Sequence, residues 1–432
     1  MMKAFIHPAS RLEGVIDAPS SKNYTLRYVL AAALAEGVSE VWYPARSDDS
    51  AALVECLTAL GARIRMGGEC LTIEGFGASP RNPNVLNPHN AGAVLRMLLG
   101  VGALLPEIRF ETDHADSLGR RPNRELLEAL TQFGATYEAG EDGRLPIVLR
   151  GGFLHGGRIR ISGARSSQFL SSLLFLSPLI GEEVEIEVSD HLVSAPLIRT
   201  SLEVLRKAGI AVEADDNLRR FRVPEKQWYI PQRYEVNGDY PGSVALLSAA
   251  ATNRSDVMIR RLLDDQQGER AAIDVLAKMG ADVFRDGRSA RVKGGRHLRG
   301  VQFDGDGATD AVLALVGAAC FAAGCSEFYN VGNLRLKECD RIHDPIVELR
   351  KIGVICEEKP DTIEIQGSPL GYEGGIEVEA HNDHRMIMLL TIVGLRCHKG
   401  LTIRNAQHIS KSYPRFFDDL RKLGAQIDEL PD

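Results

Sequence analysis

One short motif recurs six times along this chain of 432 residues. Each copy has a leucine, two further residues, an apolar residue and a glycine, and a short β-like run follows it. A single copy indicates only an amphipathic helix that ends at a glycine C-cap. Successive glycines are 73, 75, 71, 73 and 71 residues apart, which predicts that the whole chain consists of six copies of one unit. The six leucine–glycine pairs are Leu57 and Gly61, Leu130 and Gly134, Leu205 and Gly209, Leu276 and Gly280, Leu349 and Gly353, and Leu420 and Gly424.

The predicted unit is βαβαββ. A helix ends at each glycine, an extended run such as 62–66 follows, and a turn leads to a second alternating run such as 71–75. The sixth copy stops at 425–428, just short of the C-terminus. Most copies also contain an earlier helix of small apolar residues, which we expect to be buried on most sides. These helices are predicted at 28–35, 93–104, 169–179, 244–251, 311–322 and 386–395.

The length of the chain suits two domains of three repeats each. The segment Asn237–Gly242 lies near the midpoint and is rich in turn residues, so it predicts a hinge. A second crossing is predicted around Ser20, because the first strand precedes a full repeat. We therefore expect one domain at 22–236 and a second built from 1–21 and 237–432.

Composition excludes several classes of protein. The net charge of -7 disfavours a nucleic-acid partner, and the longest apolar stretch, at 311–323, is too short to span a bilayer. The start of the chain, Met1–His7, has no signal-peptide apolar region. The seven cysteines form no CxxC pair, which indicates reduced thiols and a cytoplasmic location.

In the first half, polar and cationic residues stand at the starts of predicted helices. A helix start favours anions, and arginine suits capture of carboxylate or phosphate, although each segment alone also fits a capped helix with solvated cations. The candidates are Lys22, Asn23 and Arg27, Gly92 and Arg96, Arg120 and Arg121, Ser166, Ser167 and Gln168, and Ser194.

The second half has a denser charged segment, Asn333–Arg341, which contains Lys337 and Glu338 and lies between a strand and a helix. His381 and His384 suggest a metal, but no third ligand has a suitable spacing, so an anion-binding Arg385 is favoured. Lys411 is a lone cation before the last helix.

Asp310 opens the apolar helix of the fifth repeat and suits a proton acceptor in a water-poor site. The candidates occupy comparable places in different repeats, mostly at starts of buried helices. Helices directed at a common cleft between two domains focus positive potential there, which predicts a polyanionic ligand and two anions bound at once.

Taken together, the motifs resemble the enolpyruvyl transferase family, and within it the branch that acts on shikimate 3-phosphate. The resemblance spans the full length of the chain. Its motifs are Ser-Lys-Asn at 21–23 with Arg27, Asn-Ala-Gly at 90–92 with Arg96, Ser-Leu-x-x-Arg-Pro at 117–122, Ser-Ser-Gln at 166–168, Asn333 with Lys-Glu-x-Asp-Arg at 337–341, Asn-Asp-His-Arg at 382–385, and Lys411.

The resemblance implies an α/β fold of two domains, each an inside-out barrel of three βαβαββ repeats, that close over the substrates. The implied reaction transfers the enolpyruvyl group of phosphoenolpyruvate to the 5-hydroxyl of shikimate 3-phosphate and releases phosphate. It serves the shikimate pathway to chorismate and aromatic amino acids, and it needs no metal or organic cofactor. The active site is implied to lie in the interdomain cleft, with 22–236 on the shikimate 3-phosphate side. We expect a monomer.

The resemblance also implies roles for individual residues. Asp310 takes the proton of the 5-hydroxyl, and Glu338 and Lys22 are candidates for moving protons at the methylene carbon. The implied phosphoenolpyruvate-binding residues are Lys22, Gly92, Arg121, Gln168, Arg341, Arg385 and Lys411. The implied shikimate 3-phosphate-binding residues are Lys22, Asn23, Arg27, Ser166, Ser167, Gln168, Ser194, Asp310, Asn333 and Lys337.

Several positions depart from the family pattern, mainly on the acceptor side. Asn23 stands where a serine is usual, and Leu197 where a tyrosine is common. These departures leave two alternatives: an enolpyruvyl transferase with another acceptor, a UDP-amino sugar or another phosphorylated ring alcohol, or a non-catalytic anion-binding relative. Ala93 and Met97 depart from the pattern after Gly92, and from them we expect weakened inhibition by glyphosate. Cys339 is assigned a packing role.

Overall fold

The computed structural model describes residues 2–295 and 297–431. It divides the chain into two compact units. The first, Ser20–Val236, is one stretch of sequence and is called the continuous unit. The second combines Met1–Pro19 with Asn237–Asp432 and is called the split unit. The chain therefore passes from one unit to the other twice, after Pro19 and after Val236.

Twenty-four strands lie in the described residues. They are β1 (Met2–Ile6), β2 (Leu12–Asp17), β3 (Glu36–Trp42), β4 (Arg63–Gly67), β5 (Cys70–Phe76), β6 (Val85–Leu86), β7 (Ile108–Phe110), β8 (Thr136–Ala139), β9 (Ile147–Arg150), β10 (Gly157–Ile161), β11 (Val184–Val188), β12 (Glu213–Ala214), β13 (Arg220–Val223), β14 (Arg233–Glu235), β15 (Ser255–Arg260), β16 (Asp282–Arg285), β17 (Ser289–Lys293), β18 (Gln302–Asp304), β19 (Gly324–Tyr329), β20 (Ile355–Lys359), β21 (Thr362–Gly367), β22 (Ile376–Glu379), β23 (Leu401–Arg404) and β24 (Ile427–Pro431).

The same residues form twelve α-helices and six short 3₁₀ helices. The α-helices are α1 (Lys22–Ala33), α2 (Asp48–Ala59), α3 (Gly92–Gly102), α4 (Arg124–Thr131), α5 (Ser167–Ile180), α6 (Ala195–Lys207), α7 (Tyr240–Thr252), α8 (Ala271–Lys278), α9 (Val312–Ala319), α10 (His343–Ile352), α11 (His384–Gly394) and α12 (Phe416–Lys422). The 3₁₀ helices are Leu118–Arg120, Glu141–Gly143, Gly268–Arg270, Asp306–Ala311, Gly332–Leu336 and Ala406–Lys411.

All six sheets are four-stranded and have the same topology, with one parallel pair followed by two antiparallel pairs. In the sheet β6-β7-β9-β8, for example, β6 and β7 are parallel and β9 is antiparallel to both β7 and β8. The predicted α/β fold of six βαβαββ repeats is confirmed. The other sheets are β14-β3-β5-β4 and β10-β11-β13-β12 in the continuous unit, and β2-β15-β17-β16, β18-β19-β21-β20 and β22-β23-β1-β24 in the split unit.

The N-terminal strand β1 completes the sixth repeat. Strand β24 is the last strand of the chain, and β1 inserts between β23 and β24, antiparallel to both. Ala4 pairs with Ile403 on one side and with Glu429 on the other. The run that the sixth copy lacks at the C-terminus is therefore supplied from the opposite end of the sequence.

The six motif glycines end their helices in one way. All six have a positive φ, between 84° and 109°. In each copy the N–H of the residue after the glycine donates to the carbonyl of the motif leucine, at 2.9–3.3 Å. This is the Schellman motif, in which the glycine adopts the left-handed conformation and the leucine is the fourth residue before it. The spacing in the sequence therefore follows from one backbone hydrogen bond repeated six times.

Helices occupy the interior of each unit, and sheets cover them. In the split unit, α7, α9 and α11 pack against one another, and every residue of α7 is buried. Strand β15 alternates, with Val257 and Ile259 buried toward these helices and Arg260 exposed. In the continuous unit, α3 packs against α5 in the same way. This arrangement is the predicted inside-out one. Within the described residues, no helix is long and apolar enough to cross a membrane.

Candidate active site

Helix α1 of the continuous unit begins with two of the predicted site residues. The Ser21 side chain caps the helix by accepting the N–H of Tyr24 at 3.5 Å. Lys22 follows, and its Nζ lies 3.0 Å from Oδ2 of the buried Asp49. Asn23 is buried beside it. Asp49 lies 27 residues from Lys22 and was not predicted from the sequence; it orients the ammonium group.

Arg27, one turn further along α1, is only 1% exposed. Its Nε donates to Ser201 Oγ at 2.8 Å, and Nη1 donates to the Asn23 carbonyl at 3.0 Å. Burial lowers the pKa of Arg27 to about 10, and the charge of Tyr24 offsets part of this effect. These partners are all neutral, so the guanidinium keeps its positive charge for an anion.

The start of α3 depends on Gly92. A Cβ at this position would lie 2.5 Å from Nη1 of Arg121, closer than Cβ atoms approach other heavy atoms in proteins. Arg121 is 7% exposed and lies over the first turn of α3. The sequence suggested that Gly92 admits a ligand to the backbone; in the structure it admits the guanidinium of Arg121.

Arg96 is a candidate cation from the sequence to which the family resemblance assigned no individual role. Its Nη1 donates to Gln168 Oε1 at 2.8 Å, and its guanidinium lies 5.0 Å above the ring of Phe169. Ser166 caps α5 by accepting the N–H of Gln168 at 3.3 Å, and Ser167 is buried in the first turn. The sequence around Arg96 could have predicted that this side chain contacts other polar groups, because an arginine in an apolar helix needs polar partners.

Ser194 occupies the N-cap position of α6 with a left-handed backbone, φ 53°, and its side chain makes no capping hydrogen bond. It is 6% exposed. Positive φ is uncommon for a residue other than glycine and marks a constrained position. The predicted hydroxyls at 166, 167 and 194 therefore all stand at helix starts of the continuous unit, where backbone N–H groups favour an anion.

In the split unit, Arg341 lies at the centre of a charged cluster. It is 2% exposed and contacts three carboxylates. Nε and Nη2 donate to both oxygens of Asp383, at 2.8 and 3.1 Å. Nη1 lies 3.1 Å from Asp310 Oδ1, and Nη2 lies 2.9 Å from Glu338 Oε2. The predicted residues Asp310, Glu338 and Arg341 are thus in direct contact.

Two further predicted cations border the same cluster. Lys411 Nζ lies 3.6 Å from Glu338 Oε1, and Arg385 Nη2 lies 3.8 Å from Asp310 Oδ2. Arg385 is 4% exposed, and its Nε has no hydrogen-bond partner in the part of the chain that the structure describes. A buried N–H without a partner is costly, and an anionic ligand would satisfy it.

Asp383 was not predicted, although it lies within the quoted motif. It is fully buried, and it caps α11 by accepting the backbone N–H of Arg385 at 2.7 Å. Burial alone would lower the pKa of Arg341, but the charges of Asp383, Glu338 and Asp310 raise it well above its usual value. Burial also raises the pKa of Cys339, whose Sγ lies 3.5 Å from Asp383 Oδ2, so the thiol is a packing group as expected.

Glu269 is a buried carboxyl that sequence analysis missed entirely. It is 5% exposed, on the 3₁₀ helix that packs against the 3₁₀ helix of Asp310. Burial raises the pKa of Glu269 to about 8, with a further contribution from the charge of Asp310. No local pattern marks this glutamate, because its burial comes from packing between repeats.

The remaining predicted residues lie on the segment that leads to Arg341. Asn333 lies on the 3₁₀ helix Gly332–Leu336, and Lys337 follows it directly. Among the described residues, no group of three or more His, Cys, Asp or Glu side chains is placed to hold a metal ion. His384 lies on α11, 3.7 Å from Asp383, and is 1% exposed.

The fold is the fold of the enolpyruvyl transferases. An EPSP synthase from Acinetobacter baumannii superposes with a TM-score of 0.84 at 24% identity, covering 100% of both chains. The enolpyruvyl transferase NikO from Streptomyces tendae superposes with a TM-score of 0.81 at 20% identity, covering 99% of this chain and 98% of the other.

Sequence relatives identify the family within that fold. The family described as EPSP synthase (3-phosphoshikimate 1-carboxyvinyltransferase) matches residues 6–432. The 3-phosphoshikimate 1-carboxyvinyltransferase of Deinococcus radiodurans is 47% identical over 98% of this chain and 96% of its own length. Those of Burkholderia pseudomallei and Methanocaldococcus jannaschii are 38% and 34% identical, over 98% and 99% of this chain and 94% and 100% of their own lengths. The chain belongs to the EPSP synthase family.

Its activity is therefore the transfer of the enolpyruvyl group of phosphoenolpyruvate to shikimate 3-phosphate in the shikimate pathway. The prediction of family and reaction from the motifs is confirmed. The departures at Asn23 and Leu197 occur in a chain whose relatives share one activity, so the alternatives of another acceptor and of a non-catalytic relative are set aside.

Proposed function

We propose that the two units have different roles in this reaction. The continuous unit binds shikimate 3-phosphate through Lys22, Asn23, Arg27, Ser166, Ser167, Gln168 and Ser194. The split unit binds phosphoenolpyruvate through Arg341, Arg385 and Lys411. It also carries out proton transfers through Asp310 and Glu338, and it contributes Asp310, Asn333 and Lys337 to the binding of shikimate 3-phosphate. Lys22, Gly92, Arg121 and Gln168 of the continuous unit also contribute to phosphoenolpyruvate binding.

Helix starts and neutral partners support the shikimate 3-phosphate assignment. Ser166, Ser167 and Ser194 all stand at helix starts, where free backbone N–H groups and the helix dipole attract phosphate. Arg27 donates only to neutral oxygens within its unit, so its charge is not cancelled before a carboxylate arrives.

The burial of three cations supports the phosphoenolpyruvate assignment. Arg341, Arg385 and Lys411 are each less than 5% exposed, so their charges act in a medium that screens them weakly. Phosphoenolpyruvate carries a carboxylate and a phosphate, which arginine pairs bind in bidentate fashion. The Nε of Arg385 has no hydrogen-bond partner among the described residues and is available to such a ligand.

The chemistry follows as an addition and an elimination. Asp310 takes the proton of the 5-hydroxyl of shikimate 3-phosphate while the oxygen of that hydroxyl forms a bond to C2 of phosphoenolpyruvate. In the same addition, a proton is delivered to the methylene carbon C3 of phosphoenolpyruvate. A proton then leaves the new methyl group, the bond from C2 to the phosphate oxygen breaks, and phosphate departs. Glu338 and Lys22 are assigned the transfers at C3. The contacts of Glu338 with Arg341 and Lys411 place a carboxyl group beside the phosphoenolpyruvate cations.

We also propose that the protein is a cytoplasmic monomer. The cytoplasmic location is supported by the cysteines: all seven are free thiols, as expected in a reducing compartment.

The experiment that tests these assignments replaces Asp310 by asparagine. Asp310→Asn keeps the shape but removes the base, so we expect kcat to fall by about 100- to 10,000-fold. The dissociation constants of both substrates, measured by calorimetry, should change by less than about threefold. Asp304→Asn is the matched control, since Asp304 is exposed and its carboxylate accepts only from the N–H of Asp306 at 3.1 Å and from Asn330 Nδ2 at 2.9 Å. Unchanged turnover in Asp310→Asn would remove Asp310 from its role.

A further inference from the structure

The turn between β22 and α11 holds two consecutive residues in the left-handed region. His381 has φ 51° and Asn382 has φ 56°. Side chains other than glycine adopt this conformation at a cost, and it persists only where the surroundings impose it. The next residue is Asp383, which pairs with Arg341, and two residues further on is Arg385. The strained turn therefore sets the positions of two groups in the cluster.

Glu348 of α10 holds this turn from one side. It is 1% exposed, and its Oε1 lies 3.0 Å from Nε2 of His381. Its Oε2 accepts the backbone N–H of Glu379 at 3.1 Å. Lys351 Nζ lies 2.8 Å from each oxygen of Glu348. One buried carboxylate thus contacts the last residue of β22 and the first left-handed residue of the turn.

Glu379 holds the turn from the other side. Its Oε1 accepts the backbone N–H of His381 at 3.2 Å and a bond from Asn405 Nδ2 at 2.8 Å. Arg404 Nε lies 3.7 Å from Oε2 of Glu379. Asp344 of α10 lies 3.9 Å from His381 Nδ1. The groups that surround the imidazole are therefore mainly acidic, and they favour its protonated form.

The charge states agree with this geometry. The hydrogen bond to Glu348 raises the pKa of His381; burial opposes it, and the charges of Asp344, Glu348 and Glu379 add to it. Burial alone would raise the pKa of Glu348, but hydrogen bonds from His381, Lys351 and the Glu379 N–H lower it to about 2.

We infer that Glu348 and His381 are positioning residues for phosphoenolpyruvate binding, because their contact holds the strained turn that sets Asp383 and Arg385. The inference rests on the proposed role of Arg385. Neither residue touches the substrate in this account. Loss of the contact should release the turn and move Arg385 away from its binding position while the shikimate 3-phosphate groups of the continuous unit stay unchanged.

The test measures KM for each substrate in His381→Ala, His381→Gln and Arg385→Lys. For His381→Ala we expect the KM for phosphoenolpyruvate to rise about tenfold, with the KM for shikimate 3-phosphate and kcat changed less than about threefold. His381→Gln, whose amide N–H replaces Nε2–H, should recover most of the loss. His343→Ala is the matched control, because His343, the first residue of α10, forms an exposed pair with Glu358 of β20 at 2.7 Å. Thermal melting confirms that each variant is folded.

A pH series separates positioning from general loss of structure. In the native enzyme the KM for phosphoenolpyruvate should rise as the pH passes the raised pKa of His381, because the contact is strongest while the imidazole is charged. His381→Gln should lack this component. If Arg385→Lys leaves the KM for phosphoenolpyruvate unchanged, the role of Arg385 fails and this inference fails with it. Two results would overturn only the positioning inference. In the first, Arg385→Lys raises the KM for phosphoenolpyruvate and a folded His381→Ala does not. In the second, His381→Ala raises the KM for phosphoenolpyruvate and the KM for shikimate 3-phosphate equally.

Discussion

Two arginines of the continuous unit and the cations of the split-unit cluster have different partners. In the continuous unit, Arg27 and Arg96 donate to hydroxyl, amide and carbonyl oxygens, all of them neutral. In the split unit, Arg341 meets three carboxylates, and Arg385 and Lys411 lie near two of them. A cation with neutral partners keeps its charge for an anionic ligand, whereas a cation beside carboxylates also orients groups that exchange protons. We therefore propose that the same repeat serves anion binding alone in the continuous unit, and phosphoenolpyruvate binding together with proton transfer in the split unit.

The largest expected effect tests the carboxylates of the split unit. Glu338→Gln still accepts a hydrogen bond from Arg341 but exchanges no proton, so kcat should fall by about 100-fold or more. The KM for shikimate 3-phosphate should stay within about threefold. The readout is phosphate release, with the exposed Glu357→Gln as control. Full turnover in Glu338→Gln would shift the proton transfers at C3 toward Lys22 and remove the contrast between the units.

A smaller effect is expected from Ser167→Ala in the continuous unit. The Ser167 hydroxyl does not cap α5, because Ser166 does so. Its loss removes one hydrogen bond to a charged ligand, which is worth about 1.5–3 kcal/mol, so the KM for shikimate 3-phosphate should rise by at least about tenfold. Ser189→Ala serves as control, since that hydroxyl donates to a backbone carbonyl at 3.3 Å. A fall in kcat with unchanged KM would assign chemistry, rather than binding, to this helix start.

Gly92→Ala tests the approach of Arg121 to α3. The added Cβ would lie 2.5 Å from Arg121 Nη1 and must displace the guanidinium, so we expect the KM for phosphoenolpyruvate to rise about tenfold. Gly119→Ala is the matched control, because the nearest atoms to its Cβ lie at an ordinary 3.6 Å. An unchanged KM would show that Arg121 has another position for binding, or that it does not bind phosphoenolpyruvate.

A change in stability is expected at Glu269, whose carboxyl makes no ion pair in the described part of the split unit. Its pKa in the folded state is about 8, above the usual 4.5. Below pH 4.5 the carboxyl of Glu269 is protonated in both the folded and the unfolded state, so its ionisation contributes nothing to the free energy of unfolding. As the pH rises from 4.5 to 8, this carboxyl ionises in the unfolded state but stays protonated in the folded state. The free energy of unfolding therefore falls progressively over this range. Glu269→Gln should therefore unfold like the native protein at pH 4 and be more stable by roughly 2–4 kcal/mol at pH 8. Equal denaturation curves at pH 8 would show that Glu269 is ionised without penalty.

The six repeats could be predicted from the sequence because each helix ends in the same local backbone conformation. Each Schellman bond joins the carbonyl of the motif leucine to the residue five positions later, and the positive φ that it needs requires a glycine, which therefore recurs at a regular spacing. The helix starts were readable for the same reason, since a cap acts over two or three residues: Ser21 reaches Tyr24, and Ser166 reaches Gln168. The class of reaction followed from motifs that are themselves short.

Tertiary structure decided which of these groups meet. Arg341 and Asp383 are 42 residues apart, Arg96 and Gln168 are 72 apart, and β1 pairs with β24 at the opposite end of the chain. Glu269 and the contact between Glu348 and His381 carry no local signal at all. Burial sets the chemistry of these groups by excluding water and concentrating charge, and burial arises only when one repeat packs against the next.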